Sequence, residues 1–194
     1  SYSSLRYLEG KSNLVEFLKY MIDNLDMVEH NIEPFAGGAG VAIELLLQGV
    51  VSRIVINDYD KGIWSFWKAV LTETDRFIAQ LAVVSLTMEE WNRQRNICLT
   101  RNNKYSFELG FANQTNRSGI VKGGVICSMD QSGSWKMDAR FKREDLIRRI
   151  ESIAERKSHK AIDNNLSPIL SRLSNNLPHA PRSYAGFSGF HSKK

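Results

Sequence analysis

The fold is decided by residues 32–58. They begin with Ile32-Glu33-Pro34-Phe35-Ala36-Gly37-Gly38-Ala39-Gly40 and continue with the apolar segment Val41–Leu47 and the β-branched segment Arg53–Asp58. Pro34 is incompatible with a helix interior, so we predict a short strand over residues 32–35 that enters a glycine turn. A helix follows and ends at Gly49, and Arg53–Asp58 forms a second strand. These elements make one βαβ unit, whose two strands are expected to be parallel.

Helices are predicted on both sides of this unit. Apolar residues recur at three- and four-residue spacing from Leu14 to Leu25, which indicates an amphipathic helix that ends before Asn31. Further helices are predicted at 61–71, at 75–81, after a capping box formed by Thr87 and Glu90, and around an apolar stripe from Leu146 to Ala154. Residues 113–133 are rich in Asn, Ser and Gly, and we predict a long loop there.

Composition places the chain among single-domain globular proteins. Its 194 residues are 42% hydrophobic and 24% charged, which suffices for one core with an inserted subdomain. No apolar run approaches the roughly 20 residues that cross a bilayer, so we expect a soluble, cytoplasmic protein. Cys98 and Cys127 have no metal-binding or redox spacing, and no metal site is predicted.

Positive charge is concentrated in one part of the chain. The formal net charge is +5, and twelve of the 26 Lys and Arg residues lie between positions 93 and 149. They are Arg93, Arg95, Arg101, Lys104, Arg117, Lys122, Lys136, Arg140, Lys142, Arg143, Arg148 and Arg149. This distribution predicts a nucleic-acid interface, and the alternative is an ordinary solvated surface of a slightly basic protein.

The glycine turn and Asp58 together suggest an adenosine-containing cofactor. Glycines between a strand and a helix let the backbone approach a ligand, and Asp58 closes the second strand 18 residues after Gly40, where a carboxylate can accept hydrogen bonds from ribose hydroxyls. A dinucleotide fingerprint would need glycine at position 43, where Ile43 stands. The alternative is that the glycines only make a tight turn and that Asp58 only caps the next helix.

These residues resemble a known family. Glu33-Pro34-Phe35-Ala36-Gly37-Gly38-Ala39-Gly40 and Ile56-Asn57-Asp58 are similar to the cofactor-binding motifs of the Dam-like DNA adenine methyltransferases. Tyr7-Leu8-Glu9-Gly10-Lys11 resembles their N-terminal segment, and Thr115-Asn116-Arg117-Ser118-Gly119 resembles their DNA-contacting loop. The similarity spans about residues 5–156. Glu9 departs from the pattern, because the family usually has a second glycine there.

The resemblance implies a fold, a cofactor and a division of the chain. The fold would be α/β, a Rossmann-like S-adenosylmethionine-dependent methyltransferase domain at 1–61 and 150–194, with an inserted, mainly helical DNA-binding region at 62–149. The C-terminal part of the sheet would be incomplete. S-adenosyl-L-methionine would be held by Tyr7, Lys11, Phe35, Gly37, Gly38, Gly40 and Asp58. Double-stranded DNA would be contacted by Asn116, Arg117, Ser118, Lys122 and Arg140.

The motif that performs catalysis in this family has no counterpart in the sequence. The family holds the amine of a flipped adenine with Asp-Pro-Pro-Tyr, whereas the four prolines here follow Glu33, Ser167, Leu177 and Ala180. Asn176-Leu177-Pro178-His179 resembles an Asn-Leu-Pro-aromatic version, so Asn176, Pro178 and His179 are candidate catalytic residues. The alternative there is a helix at 167–174 that Pro178 terminates.

Three functions remain open at this point. The first is a site-specific DNA adenine methyltransferase, accompanied in some systems by a cognate restriction enzyme, with a chain altered from residue 158 onward and catalytically incomplete. The second is a non-catalytic remnant that binds DNA or the cofactor. The third is a nicotinamide-dependent enzyme, against which the missing third glycine argues.

Overall fold

The computed structural model describes residues 3–6, 14–25, 28, 30–100, 106–120, 122–158 and 162–163. Within them, helix α1 (Val15–Asp23) precedes strand β1 (His30–Glu33), helix α2 (Gly40–Leu47) and strand β2 (Arg53–Ile56). Strands β1 and β2 are parallel, with Glu33 opposite Ile56, and this confirms the βαβ unit. Strand β3 (Ile162–Asp163) is also parallel and pairs with the other side of β2.

Strand β1 lies earlier than the sequence predicted. It covers residues 30–33, and Pro34 and Phe35 are in the turn that follows. The reason is that Pro34 has no N–H to donate to the ladder. The pairing continues past it, because the Asn57 N–H donates to the Glu33 carbonyl at 2.9 Å and the Ala36 N–H donates to the Asn57 carbonyl at 2.8 Å. The turn is therefore tied to the end of β2.

Helix α2 ends as predicted, at a glycine in a left-handed conformation. Gly49 has φ 72°, and its N–H donates to the Leu46 carbonyl at 3.1 Å. The Val50 N–H donates to the Leu45 carbonyl at 2.9 Å, so the two bonds form a Schellman motif. Five residues of α2 are buried: Val41, Ala42, Ile43, Leu45 and Leu46. A helix that is apolar almost all round is thus packed on the sheet.

Four α-helices of the described residues lie between β2 and residue 116. They are α3 (Lys61–Thr72), α4 (Thr74–Val83), α5 (Met88–Thr100) and α6 (Phe107–Thr115). A long segment follows that contains the short 3-10 helices Arg117–Gly119 and Met137–Arg140, and α7 (Arg143–Ser158) comes after it. Asp60 caps α3 by accepting the Gly62 and Ile63 N–H groups. Thr87 accepts the Glu90 N–H at 3.2 Å, which confirms half of the predicted capping box. The side chain of Glu90 binds Arg93 and Gln94 instead of reaching back to the cap.

Helix α6 corrects the loop predicted at 113–133. Asn113, Gln114 and Thr115 are helical and buried, although their polar side chains favoured a loop. Each side chain is hydrogen-bonded inside the protein, which removes the usual cost of burying polar groups. Irregular structure begins only at Asn116. No helix of the described residues has both the length and the apolar content to cross a membrane.

The core between these helices is aromatic. Phe66 of α3 makes edge-to-face contacts with Trp67 and Phe77, at centroid distances of 5.1 and 5.4 Å. Phe77 makes a further contact with Phe107 of α6, at 5.4 Å. Helix α3 packs against α4, α6 and α7, and its Phe66 and Trp67 are almost wholly buried. This helix therefore links the βαβ unit to the helical region.

Replacement of Gly110 by alanine tests the tight packing of α6 on α3. In an open helix the change stabilises by about 1 kcal/mol. Here an added Cβ would lie 2.9 Å from Cε2 of the buried Phe66 ring, and overpacking of a core costs about 1–3 kcal/mol. We expect Gly110→Ala to lower the free energy of unfolding by about 1 kcal/mol, as measured by urea denaturation.

Phe66→Leu supplies the matched background for that test. It shortens the side chain that the new methyl group would meet, so Gly110→Ala should be neutral or stabilising when both changes are combined. A stabilising effect of Gly110→Ala in the parent protein would contradict the close contact.

Candidate functional site

The glycine turn lies at the carboxyl ends of two neighbouring parallel strands. It connects β1 to α2, and Asp58 lies just beyond the end of β2. Gly37 has φ 51° and Ala39 has φ 49°, so two positions of the turn are left-handed. Crevices at the carboxyl ends of parallel strands are where α/β proteins bind ligands. The structure therefore brings Gly37, Gly38, Gly40 and Asp58 to one edge of the sheet.

Side chains from three other segments hold this turn in place. The Gly37 N–H donates to Asp58 Oδ2 at 2.8 Å, and Trp67 Nε1 donates to the Gly37 carbonyl at 2.9 Å. The Ser3 hydroxyl donates to the Gly38 carbonyl. Gly37 and Gly38 are both buried, so each of these bonds satisfies a backbone group that has little access to water.

The N-terminus of α2 lacks the usual capping side chain. Its N-cap residue is Ala39, and the carboxylate of Glu33 takes over part of that role by accepting the Ala42 N–H at 3.1 Å. A negative charge at this position is favourable because the helix dipole is positive at the N-terminus. Glu33 thus belongs to the site as a support of the helix, which the sequence did not reveal.

Asp58 braces the turn and does not cap the next helix. Its Oδ2 accepts the Gly37 N–H, and its Oδ1 accepts the Asp60 N–H at 2.9 Å. The cap of α3 is Asp60, so the alternative role considered for Asp58 falls to its neighbour. An ionised carboxylate offers about four acceptor positions. Two are used by backbone groups, and the remaining capacity is available at a half-buried position.

Two aromatic side chains stand beside this edge. Phe35 follows β1 and is 69% exposed, and Tyr59 follows Asp58 and is 87% exposed. Ligand sites are often lined by aromatic side chains. Tyr7 and Lys11, which were also predicted to meet the cofactor, lie outside the described residues.

The segment after α6 forms a loop that is closed at its base. Asn116 and Val125 form an antiparallel bridge, and the Arg117 N–H donates to the Gly124 carbonyl at 2.9 Å. We call residues 117–124 the basic loop, because Arg117 and Lys122 are exposed on it together with Ser118. The guanidinium of Arg117 contacts the Cys127 carbonyl, which holds the side chain near the loop base.

Asn116 is placed differently from its neighbour. It is 1% exposed, its Oδ1 accepts the Trp91 indole N–H at 2.7 Å, and its Nδ2 donates to the Ile120 carbonyl at 2.9 Å. A buried amide bonded at both ends can shape the loop, but in this conformation it cannot reach a duplex. In this structure Asn116 supports the base of the loop, and its contact with DNA stays a prediction.

Arg6 adds a basic residue that the sequence did not single out. Its Nη1 is buried without a hydrogen-bond partner. Burial lowers the pKa of the Arg6 guanidinium, and the positive charge of Arg140 lowers it further. Arg140 itself is exposed, as predicted for a DNA contact. Two like charges near each other are stabilised by an anion, because an anion relieves both their repulsion and the desolvation of the buried one.

Other candidate groups lie elsewhere. Asn176, Pro178 and His179 fall outside the described residues. Burial raises the pKa of the Cys98 thiol to about 12, with a further contribution from Glu108, so Cys98 is protonated at neutral pH and unsuited to act as a nucleophile. A polar groove of about 230 Å³ lies between α3, α4 and α6, lined by residues that include Glu73, Arg76 and Glu108, and it contains none of the predicted site residues.

The residues that sequence reasoning missed are those that act over long chain distances. Ser3, Trp67 and Arg6 reach the site or the basic loop from segments that carry no recognisable motif. Trp67 offered one weak signal, since a buried indole N–H nearly always has a partner. Nothing in the sequence indicated that its partner would be Gly37.

Comparison with known proteins agrees with this geometry. Residues 7–109 match the family of D12 class N6 adenine-specific DNA methyltransferases. The match covers more than half of the chain, and it includes the glycine turn, Asp58 and helices α3 to α5 but not the basic loop. No curated protein is found to match the chain. The resemblance to adenine methyltransferases is confirmed, and the chain belongs to the D12 class N6 adenine-specific DNA methyltransferase family.

Proposed function

We propose that this chain binds S-adenosyl-L-methionine at the carboxyl edge of β1 and β2 and presents it to adenine in double-stranded DNA. The observation that carries the proposal is the Gly37–Asp58 bond, which places a glycine turn and a carboxylate at one edge of a parallel sheet in a member of this family. On this proposal the α/β unit, 1–61 with 150–194, is a Rossmann-like cofactor domain, and 62–149 is the inserted DNA-binding region.

The site offers a group that suits each part of S-adenosylmethionine. Gly37 and Gly38 have no side chains to obstruct a nucleoside, and the N-terminus of α2 at Gly40 offers a positive dipole end for the methionine carboxylate. Asp58 has acceptor positions left for two ribose hydroxyls. Phe35 and Tyr59 are exposed at the ends of the two strands, and one or both would pack against the adenine ring.

Asp58→Ala is expected to weaken binding of S-adenosylmethionine by about 1–3 kcal/mol, because two ribose hydroxyls would lose their acceptor. Isothermal titration calorimetry measures the dissociation constant. The same change also frees the Gly37 N–H, so part of the effect will come from a looser turn.

Asp60→Ala is the matched control for that measurement. It removes a carboxylate two residues away and the cap of α3, which costs about 0.5–2 kcal/mol of stability, but it leaves Asp58 in place. Equal affinity of the Asp58 variant and the parent would refute the ribose contact. Tighter binding of NAD than of S-adenosylmethionine would favour the nicotinamide-dependent alternative.

The DNA interface is proposed to consist of the basic loop with Arg6 and Arg140. Arg117, Ser118 and Lys122 are exposed on one short loop, while Asn116 fixes its base. A phosphate near Arg6 and Arg140 would offset the repulsion between the two guanidinium groups. Phosphate contacts of this kind give affinity and salt dependence without reading sequence.

Arg117→Ala should lower the affinity for duplexes of any sequence and reduce the slope of log K against log salt by about one unit, provided that Arg117 meets one phosphate. Fluorescence anisotropy at several salt concentrations measures both. Arg76→Ala removes one positive charge that is paired with Glu73, and it should leave the slope unchanged. An unchanged slope for the Arg117 variant would exclude it from the phosphate contacts.

Catalysis by these 194 residues alone is proposed to be weak. No two prolines are adjacent in the sequence, so no Asp-Pro-Pro-Tyr is present to hold the adenine amine and stack on a flipped base. The same observation favours a second candidate function, a non-catalytic protein that retains cofactor and DNA binding. The two candidates differ in turnover and share their binding sites.

We expect the 194-residue chain to methylate DNA at least ~1,000-fold more slowly than a family member that has the motif, since each lost preorganised group costs ~10²–10³ in rate. Transfer of tritiated methyl groups to adenine-containing duplexes measures this rate. Turnover close to that of such a relative, abolished by Asn176→Ala, would contradict the prediction and assign catalysis to Asn176-Leu177-Pro178-His179.

A further inference from the structure

Residues 3–6 form a buried strap between the two proposed sites. Ser3, Ser4 and Leu5 are buried, and the strap lies outside the sheet, so other side chains must satisfy its backbone. The Arg149 guanidinium donates to the Ser3 carbonyl at 2.8 Å, and Gln114 Nε2 donates to the Ser4 carbonyl at 3.0 Å. Helices α7 and α6 thus hold the strap by direct bonds.

Asn113 fixes the end of the strap that faces the basic loop. Its Oδ1 accepts the Arg6 N–H at 2.7 Å, and its Nδ2 donates to the Arg6 carbonyl at 2.7 Å and to the Gly119 carbonyl at 3.0 Å. The approach of the loop is close, because a Cβ on Gly119 would lie 3.0 Å from the Arg6 carbonyl oxygen. One buried amide therefore sets the position of both Arg6 and the basic loop.

The other end of the strap reaches the glycine turn. The Ser3 hydroxyl lies within hydrogen-bond distance of the Leu5 and Gly38 carbonyls and donates to Gly38. Hydrogen bonds at both ends and the backbone of residues 3–6 between them therefore connect Gly38, through Asn113, to Gly119. Among the described residues, no hydrogen bond joins the turn directly to the basic loop. Displacement of the turn would therefore be transmitted to the loop along this strap.

We propose that the strap couples occupation of the cofactor site to affinity for DNA, with Asn113 as the positioning residue. The proposal rests on the proposed function, because it takes S-adenosylmethionine and duplex DNA as the two ligands. The ligand that binds first restricts the remaining motion of the strap, so the second ligand loses less conformational entropy when it binds. The coupling is reciprocal, since linkage requires each ligand to raise the affinity for the other by the same factor.

The test compares DNA affinity with and without S-adenosylhomocysteine, a cofactor product that cannot donate a methyl group. Fluorescence anisotropy on a pool of adenine-containing duplexes gives the two dissociation constants for the full chain. In the parent we expect the cofactor product to tighten DNA binding at least about fivefold, the lower end of typical coupling. In Asn113→Ala and in Ser3→Ala, the cofactor product should change the DNA dissociation constant by less than about twofold.

Two comparisons separate coupling from general loss of structure. Thr115→Val removes a buried hydroxyl of α6 that donates to the Phe111 carbonyl within the helix. In this variant the cofactor product should tighten DNA binding as much as in the parent. Amide hydrogen exchange adds a local reading: saturation with the cofactor product should slow exchange of the Arg6 and Gly119 N–H groups in the parent, but not in Asn113→Ala. Ser3→Ala carries the test by itself if the Asn113 variant does not fold.

The outcomes distinguish the two proposals. Binding of both ligands by the parent with no mutual effect would overturn the coupling and leave the proposed function intact. Failure of the parent to bind the cofactor product at all would overturn the proposed function and the coupling with it. If S-adenosylhomocysteine tightens DNA binding as much in Ser3→Ala as in the parent, the path through the strap is overturned. If this tightening is lost in Ser3→Ala and kept in Thr115→Val, the path is supported.

Discussion

The bond pair at Gly37 is the constraint on which the rest of the site depends. A left-handed turn at the end of β1 leaves the backbone N–H and carbonyl of the buried Gly37 without partners in the strand. Asp58 accepts the N–H, and the indole of Trp67 donates to the carbonyl. The first bond joins the turn to the next strand, and the second joins it to α3. The edge of the sheet thereby gains a fixed shape before any ligand arrives.

This arrangement makes the site and the core a single mechanical unit. Trp67 buries its ring against Phe66, and the polar tip of the same side chain reaches the glycine turn. Phe66 in turn contacts Phe77 and lies beneath Gly110 of α6. Changes in the packing of α6 on α3 therefore bear on the position of the turn, because close-packed interiors transmit strain.

Local signals predicted the local structure well. The end of α2 at Gly49 and the bond from Glu90 to Thr87 follow from residues within a few positions of one another. The parallel pairing of β1 with β2 follows from the order strand, glycine turn, helix and strand within one continuous segment. The misses are bonds across long chain distances, such as Asn113 to Arg6, which no sequence periodicity encodes. The sequence predicted a loop for the last three residues of α6 for the same reason: this polar end is helical because the strap and the basic loop satisfy its amides.

Asn116 and Arg117 are adjacent in sequence but have different structural roles: Asn116 fixes the base of the loop, and Arg117 exposes a positive charge on it. The resemblance implied that both contact DNA, but the amide is buried and bonded at both ends while the guanidinium is exposed. Since binding costs free energy for every side chain and loop that it must order, a charge on a loop already fixed by Asn116 loses less on contact with a phosphate. On the proposed function, the buried amide would contribute to affinity without touching the DNA, and only the structure separates it from its charged neighbour.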